Sequence, residues 1–258
     1  ALHDRNWPMV VLDNLSTGVR ALVPEGVPFH EGDIGDTSLV REIMATHRVG
    51  AIMHFAASII VPESVRDPLA YYRNNSSNAR NLLDAAVQAE VPHFLFSSTA
   101  AVYGVPPQIP IAEDMPKAPI NPYGRSKWVT EMMLADVAHA HPMNYCALRY
   151  FNVAGADPMG RAGQCTKNAT HLIKIAVEAA LGKRPYVSIC GTDYATSDGT
   201  GVRDYIHVSD LADAHVLALQ ALINEPQVSM VMNCGYGRGV SVLEVIDAVE
   251  RVSGRAIV

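Results

Sequence analysis

The hydrophobic positions of the first 150 residues form short strand-like runs that alternate with helix-like segments. Ala51–Ala57 does not alternate between apolar and polar residues, which is typical of a strand buried in a parallel sheet. Leu39, Val40, Ile43 and Met44 recur at helical spacing behind Asp36, a predicted N-cap. Strand, helix, strand at this spacing predicts a doubly wound parallel α/β sheet. The predicted strands are Met9–Leu12, Val27–His30, Ala51–Ala57, His93–Phe96 and Cys146–Tyr150.

The pattern changes after Ala154. Residues 155–166 are rich in glycine and small polar residues and are predicted to form a loop. We predict a helix over Thr170–Leu181, a helix capped by Ser209 and ending at Leu222, a strand at Met230–Asn233, and a helix with the capping box Ser241…Glu244. The sequence thus predicts one domain at 1–154 and a smaller α/β domain at 155–258, with about 203–222 returning to the first.

The residues that follow the predicted strands are small or polar. Ligands of doubly wound sheets lie along the carboxyl ends of the strands, and an Asp at one such end commonly holds an adenosine ribose. Asp13 has this position, although Asp13 and Asn14 alone also fit a simple turn. The usual partner is a glycine-rich phosphate loop about 20 residues upstream. Twelve residues precede Asp13 and none is glycine, so we expect the first strand and the phosphate loop to be missing.

Tyr123 and Lys127 are four residues apart and share one face of a predicted helix. An ammonium about 4 Å from a phenol is worth up to roughly 4 kcal/mol, enough to lower the phenol pKa toward neutrality. The pair then forms a general base, with the hydroxyls of Ser97, Ser98 and Thr99 at a strand end beside it. A Tyr and a Lys on an amphipathic helix are common without any such role, but Asn121-Pro122 fixes the helix start and favours the site.

Composition excludes several other functions. The net charge is −6 with scattered Lys and Arg, which argues against nucleic-acid binding. No apolar run is long enough for a membrane span, and there is no signal-peptide pattern. The four cysteines lack metal-ligand spacing, so we expect no metal and reduced thiols in the cytoplasm. Paired catalytic carboxylates and a GxSxG elbow are also absent, which argues against glycosidase and hydrolase chemistry.

Several motifs together resemble UDP-glucose 4-epimerases of the extended short-chain dehydrogenase/reductase family, and the match covers essentially the whole chain. The first and the last of the motifs given below are the most specific to these enzymes, whereas the YxxxK pair marks only the superfamily. The motifs are VVLDNLSTG (10–18), EGDI (31–34), HFAA…VPES (54–64), FSSTAAVYG (96–104), NPYGRSK (121–127), LRYFNVAGA (148–156) and DGTGVRDYIHVSDLADAH (198–215).

The resemblance implies a Rossmann-like NAD-binding domain and a UDP-sugar-binding domain. It implies that Tyr123 abstracts the proton of the sugar 4-hydroxyl, that Lys127 lowers the Tyr123 pKa and binds the nicotinamide ribose, and that Thr99 bridges sugar and phenol. The residues implied to line NAD are Asp13, Asn14, Thr17, Gly18, Asp33, Ile34, Phe55, Ala56, Ala57, Asn74, Ser97, Tyr123, Lys127 and Tyr150. Those implied to contact the UDP-sugar are Thr99, Tyr123, Asn152, His171, Leu172, Ser188, Cys190 and Arg203.

Alternatives remain at this stage. The chain is expected to lack a C-terminal segment that supplies further UDP contacts in the family and gates sugar size. Another UDP-sugar, such as a pentose or an N-acetylhexosamine derivative, is therefore a possible substrate. A catalytically silent sugar-nucleotide-binding protein is the alternative outside the enzyme class. The resemblance also implies a homodimer formed through helices near Asn78–Glu90 and Tyr123–His139.

Overall fold

A computed structural model describes residues 1–165 and 170–258 of the chain. Its contacts divide the chain into two units, which are treated separately below. The first contains Ala1–Tyr150 and Asp210–Cys234, and the second contains Phe151–Ser209 and Gly235–Val258. The predicted domain boundary at 154/155 and the predicted return at 203–222 stay predictions.

Nine strands and eight α-helices are found in the described residues. The strands are β1 (Val11–Asp13), β2 (Phe29–Glu31), β3 (Ala51–His54), β4 (His93–Thr99), β5 (Asn144–Tyr150), β6 (Asn152–Ala154), β7 (Val202–His207), β8 (Met230–Cys234) and β9 (Gly239–Ser241). The helices are α1 (Thr37–His47), α2 (Val61–Arg66), α3 (Pro68–Tyr71), α4 (Asn78–Gln88), α5 (Pro122–Ala140), α6 (Leu172–Ala180), α7 (Val208–Asn224) and α8 (Val242–Ser253).

The first unit has two parallel sheets. β1 pairs with β2, and a second sheet has the order β3-β4-β5-β8, with all its neighbouring strands parallel. Helices α1, α4 and α5 contribute apolar residues to its core, including Val40, Leu83 and Leu134, which surround Phe94 and Phe96 of β4. The prediction of a parallel, Rossmann-like α/β fold is confirmed, and the central strand β4 is buried along its whole length.

In the second unit, β6 pairs in parallel with β7, and β7 pairs antiparallel with β9. Helix α8 begins with the predicted capping box. The Ser241 hydroxyl accepts a hydrogen bond from the backbone amide of Glu244, and the Glu244 carboxylate accepts one from the backbone amide of Ser241. Gly182 follows α6 with a φ of 71°, the left-handed conformation that glycine adopts without strain. The predicted loop 155–166 lies within the described residues except for Thr166.

Several predicted boundaries were wrong. Strand β3 ends at His54 rather than Ala57, because Phe55 and Ala56 are exposed and the pairing with β4 stops at His54. Helix α7 begins at Val208, so Ser209 lies inside it and is not its cap. The three-residue strands β6 and β9 and the short helices α2 and α3 had no recognisable periodic pattern in the sequence, since each spans fewer than two repeats of its pattern.

Candidate active site

The carboxyl end of β4 is the centre of the site. Ser97, Ser98 and Thr99 are its last three residues, and all three are buried. Their strand is fixed on both edges, since β4 pairs with β3 over four residues and with β5 over seven. The Thr99 hydroxyl accepts the amide of Ala101 at 3.2 Å and so caps the 3-10 helix Ala100–Tyr103. A rigid strand therefore ends in a row of positioned hydroxyls.

Helix α5 brings Tyr123 and Lys127 to this strand end. The helix starts at Pro122, and the Asn121 side chain accepts the Gly124 amide at 2.8 Å, as the Asn121-Pro122 pair predicts. Lys127 is only 2% exposed, and its ammonium donates to the Ser97 carbonyl oxygen at 2.8 Å. The same nitrogen lies 5.0 Å from the centre of the Phe96 ring. Tyr123 is partly exposed and interacts with the Thr99 hydroxyl.

Burial controls the acidity of both groups. It lowers the pKa of Lys127 to about 7, and it raises the pKa of the Tyr123 phenol, which the hydrogen bond with Thr99 partly opposes. The expected lowering of the Tyr123 pKa by Lys127 is therefore not found in the free chain. The physical reason is that desolvation dominates the phenol and that the Lys127 ammonium is directed to the Ser97 carbonyl.

Tyr150 and His215 lie beside the same strand end. The Tyr150 phenol forms a short hydrogen bond with the Ser97 hydroxyl, and burial raises the pKa of Tyr150 to about 12. His215 of α7 lies with its ring centre 5.0 Å from that of Phe55 and 6.0 Å from that of Tyr150. Among the described residues, its Nε2 is the one buried side-chain polar atom without a hydrogen-bond partner. The site thus presents an unused acceptor beside the exposed Phe55 ring.

The residues predicted to hold the adenosine end lie at the carboxyl ends of β1 and β2. Asp13 Oδ1 accepts the Leu15 amide at 2.7 Å, and the described residues supply no donor to its Oδ2. Asp33 accepts hydrogen bonds from the Asn14 side chain at 2.9 Å and from the Asn78 side chain at 2.9 Å. A Cβ on Gly18 would lie 2.5 Å from Asp13 Oδ1. The backbone of Gly18 therefore lies directly against the Asp13 carboxylate, and a residue with a side chain at this position would displace that carboxylate. Thr17 is exposed and Ile34 is partly buried in the same region.

The loop after β3 carries Phe55, Ala56 and Ala57, and it is fixed by the π-helical segment Tyr72–Ser77 that precedes α4. Asn75 is 2% exposed; its side chain accepts the Ser58 amide at 2.8 Å and donates to the Ser58 carbonyl at 2.9 Å and to the Ser126 hydroxyl at 3.0 Å. Asn74 donates to the Ser58 hydroxyl at 3.1 Å. The exposed Phe55–Ala57 loop is thereby tied to α5, one residue from Lys127.

The predicted uridine-diphosphate contacts lie in the second unit and were not brought together by any direct contact among the described residues. Asn152 begins β6, and His171 and Leu172 lie at the start of α6. The His171 ring is 2.5 Å from the Gln164 amide nitrogen. Ser188 and Cys190 lie in an irregular, exposed segment, and Arg203 in β7 is exposed with its guanidinium donating to the Val202 carbonyl at 2.8 Å.

Sequence reasoning missed four polar residues that the structure places around β4. They are buried, and no residue type or spacing marked them as part of the site: Arg149 and His215 lie inside two of the recognised motifs, and Asn75 and Glu131 lie outside all of them. These residues are Asn75, Glu131, Arg149 and His215.

A parallel sheet with carboxylates, small residues and hydroxyls along its strand ends defines a nucleotide-binding α/β protein of the doubly wound class. Residues 1–235 match the model of the NAD dependent epimerase/dehydratase family, so the chain belongs to that family. The resemblance to UDP-glucose 4-epimerases inferred from the motifs is confirmed by the relatives that follow.

Individual proteins agree with this assignment. The chain is 58% identical to the UDP-glucose 4-epimerase of Azospirillum brasilense over 257 residues, which cover 100% of this chain and 74% of that protein. The crystal structure of UDP-glucose 4-epimerase from Brucella ovis in complex with NAD has a TM-score of 0.96 and 46% identity, over 99% of this chain and 78% of that one. The Bifidobacterium longum UDP-glucose 4-epimerase in complex with NAD⁺ and UDP has a TM-score of 0.93 and 38% identity, over 99% and 79%.

Proposed function

We propose that this chain catalyses the NAD-dependent 4-epimerisation of a UDP-hexose and interconverts UDP-glucose and UDP-galactose. The observation that carries the proposal is the convergence of Tyr123, Lys127 and the hydroxyls of Ser97 and Thr99 at one strand end. Membership of the family and the 58% identity to a UDP-glucose 4-epimerase support it.

In this proposal Tyr123 is the general base. Its phenolate removes the proton of the sugar 4-hydroxyl, and the resulting phenol returns a proton to the C4 oxygen when the hydride returns to C4 of the keto sugar. Thr99 contacts the phenol and favours its ionised form. Lys127 has a pKa of about 7, so its charge at neutral pH responds to its neighbours. It gains a proton more readily beside a phenolate, and the two groups therefore titrate together. NAD, when bound, supplies the acceptor and the donor of the C4 hydride.

The residues of the first unit fit such a cofactor. Asp13 offers a carboxylate oxygen that the described residues leave without a donor, which suits a ribose hydroxyl, and the absence of a side chain at Gly18 lets that carboxylate keep its position. Lys127 can turn an ammonium proton toward the nicotinamide ribose while it keeps its bond to the Ser97 carbonyl. The complete proposed set is Asp13, Asn14, Thr17, Gly18, Asp33, Ile34, Phe55, Ala56, Ala57, Asn74, Ser97, Tyr123, Lys127 and Tyr150.

In the second unit we propose that Asn152, His171, Leu172, Ser188, Cys190 and Arg203 contact the UDP moiety, while Thr99 and Tyr123 contact the sugar. Arg203 is exposed and always charged, so it is suited to a diphosphate. Binding energy invested in the UDP moiety, rather than in the sugar, allows the oxidised sugar to turn and accept the hydride on its other face.

We further propose a homodimer in a reducing compartment such as the cytoplasm. Helices α4 and α5 form a groove of about 260 Å³ that is lined by both apolar and charged residues. Its lining residues include Leu83, Val87 and Val137, with Arg80 and Asp136 among the charged ones. All four cysteines are free thiols. None of the helices in the described ranges is long and apolar enough to cross a lipid bilayer. Light scattering tests the proposed dimer. We expect the parent to have the mass of a dimer and Val87→Arg, which places a charge in the groove, to have the mass of a monomer.

The experiment for the proposed function uses the purified chain without added cofactor. We expect it to release NAD on denaturation and to convert UDP-galactose into UDP-glucose. Tyr123→Phe should lower kcat by about 10²- to 10⁴-fold with unchanged UDP affinity, because only the transferred proton is lost. A folded chain that neither holds nor binds NAD would overturn the enzyme assignment. A parallel assay with UDP-N-acetylglucosamine and a UDP-pentose determines which sugar is used.

A further inference from the structure

A buried ion pair lies beside β4, in contact with the Ser98 hydroxyl. Arg149 of β5 and Glu131 of α5 are 3% and 6% exposed. Arg149 Nη2 donates to Glu131 Oε2 at 2.5 Å, and its Nε donates to Glu131 Oε1 at 3.0 Å, so the contact is bidentate. Both partners belong to the first unit.

The ion pair holds the chain on both sides of Thr99. Before Thr99, the Ser98 hydroxyl donates a short hydrogen bond to Glu131. After Thr99, Arg149 Nη1 donates at 2.7 Å to the phenol oxygen of Tyr103, which ends the 3-10 helix that Thr99 caps. Successive side chains of a strand point to opposite faces, so fixing Ser98 on one face fixes Ser97 and Thr99 on the other.

The same pair also fixes the helix that carries the proposed base. Glu131 lies four residues beyond Lys127 and eight beyond Tyr123 on α5. Further bonds extend the network: Arg149 Nη1 also donates to the Glu113 carbonyl at 3.1 Å, and the Tyr103 hydroxyl donates to Asn233 of β8 at 2.8 Å. One ion pair thereby joins the strand end that holds Thr99 to the helix that holds Tyr123.

A buried ion pair is weak evidence for stability, because desolvation of both charges offsets their attraction and an apolar pair often serves as well. Its value here is geometric, since it joins two elements whose separation sets the distance between Thr99 and Tyr123. We propose that Glu131 and Arg149 are positioning residues, which act through Ser98 and Tyr103 to hold the Thr99 hydroxyl against the Tyr123 phenol. The inference rests on the proposed function for its kinetic consequences.

The test removes each link while leaving the ion pair intact. Ser98→Ala removes the hydroxyl that donates a hydrogen bond to Glu131, and Tyr103→Phe removes the hydroxyl that accepts one from Arg149. Each should lower kcat by about 10- to 100-fold, because small misplacements of reacting groups have effects of this size. KM for the UDP-sugar should stay within about twofold, since no substrate contact is removed. Ser98→Thr retains the hydroxyl and should recover most of the lost kcat.

The matched control is Ser64→Ala. Ser64 is as buried as Ser98, but its hydroxyl donates within α2 to the Val61 carbonyl at 2.7 Å, outside the network. It should leave kcat unchanged. If Ser98→Ala and Tyr103→Phe both keep the parent kcat, or if their loss follows the loss of folded protein, the positioning role is overturned. Should one variant fail to fold, the other decides the question alone.

A second readout does not need activity. With tyrosine labelled at Cζ, carbon NMR follows the titration of Tyr123, which is identified by its absence in Tyr123→Phe. Because the Thr99 hydrogen bond lowers the Tyr123 pKa, a loosened Thr99 should raise that pKa further in Ser98→Ala but not in Ser64→Ala. An unchanged pKa overturns the inference. An inactive parent whose Tyr123 pKa nevertheless rises in Ser98→Ala overturns the proposed function and leaves the positioning role standing.

Discussion

Lys127 donates its hydrogen bond to the backbone carbonyl of Ser97, 2.8 Å away, rather than to a carboxylate. The ammonium is buried with no opposite charge in contact, among the described residues, and desolvation lowers its pKa to about 7. The charge of the lysine therefore depends strongly on the groups that surround it.

The first prediction concerns stability and pH in the Lys127→Met variant. The pKa of Lys127 is about 7 in the fold and near 10.5 in the unfolded chain, so the unfolded chain binds more protons between these values. The free energy of unfolding of the parent should therefore rise with pH in this window, by at most about 1.4 kcal/mol per pH unit. Between pH 7 and pH 9 the free energy of unfolding of the parent should increase by roughly 2 kcal/mol more than that of Lys127→Met, which lacks the titrating group.

Urea unfolding of the cofactor-free proteins at several pH values measures this difference. The cysteines and the other tyrosines are present in both proteins, so their titration cancels in the comparison, and Tyr123, whose pKa is raised by burial, stays protonated between pH 7 and pH 9. Curves that run parallel from pH 7 to pH 9 would show that Lys127 is not a desolvated ammonium in the fold.

The second prediction concerns Thr99 and the pH dependence of turnover. Its hydroxyl lowers the Tyr123 pKa, so Thr99→Val should move the rising limb of the kcat profile to higher pH. At pH 7 we expect a loss of about 10- to 100-fold in kcat, which becomes smaller as the pH rises. Thr99→Ser keeps the hydroxyl and is the control. A uniform loss of kcat at every pH would mean that Thr99 acts only on the substrate.

The fold and the centre of the site were predictable from sequence because both depend on local patterns. Buried strands are runs of apolar residues, and Tyr123, Lys127 and the hydroxyls after Phe96 lie at spacings that one helix and one strand end impose. The caps at Asp36, Asn121 and Ser241 are equally local, and each is present as predicted.

The sign of the Tyr123 pKa shift was not predictable, because it depends on burial and on where Lys127 points. Helical spacing places the two residues on one face but does not reveal that the Ser97 carbonyl receives the ammonium. Glu131 and Arg149 were missed for a related reason. They are 18 residues apart on different elements, and only the assembled sheet and helix bring their charges together.

The third prediction concerns Asn75, whose side chain makes one buried hydrogen bond to Ser126 and two partly buried ones to Ser58. Each buried hydrogen bond contributes about 1 kcal/mol, so Asn75→Ala should lower the free energy of unfolding by roughly 2–4 kcal/mol. The control is Asn81→Ala, which loses a partly buried bond of 3.2 Å to the Gly35 carbonyl and an exposed bond of 3.2 Å from the Arg80 guanidinium, and it should lose about 1 kcal/mol. Chemical denaturation measures both. Equal losses would contradict a special role of Asn75 in holding the loop after β3.

The last prediction tests the adenosine end of the site through Gly18. A Cβ at this position would lie 2.5 Å from Asp13 Oδ1 and 2.7 Å from its carboxyl carbon, so Gly18→Ala must push the carboxylate away. If Asp13 binds the adenosine ribose, the variant should bind NAD at least about tenfold more weakly, which corresponds to about 1.4 kcal/mol. Gly50→Ala is the matched control, because a Cβ there meets no atom within 4 Å and its backbone is not in the left-handed region. Calorimetric titration of NAD into both variants and the parent measures the change. Equal affinities would remove Asp13 from the proposed ribose site, since a displaced carboxylate cannot keep the same hydrogen bond to the ligand.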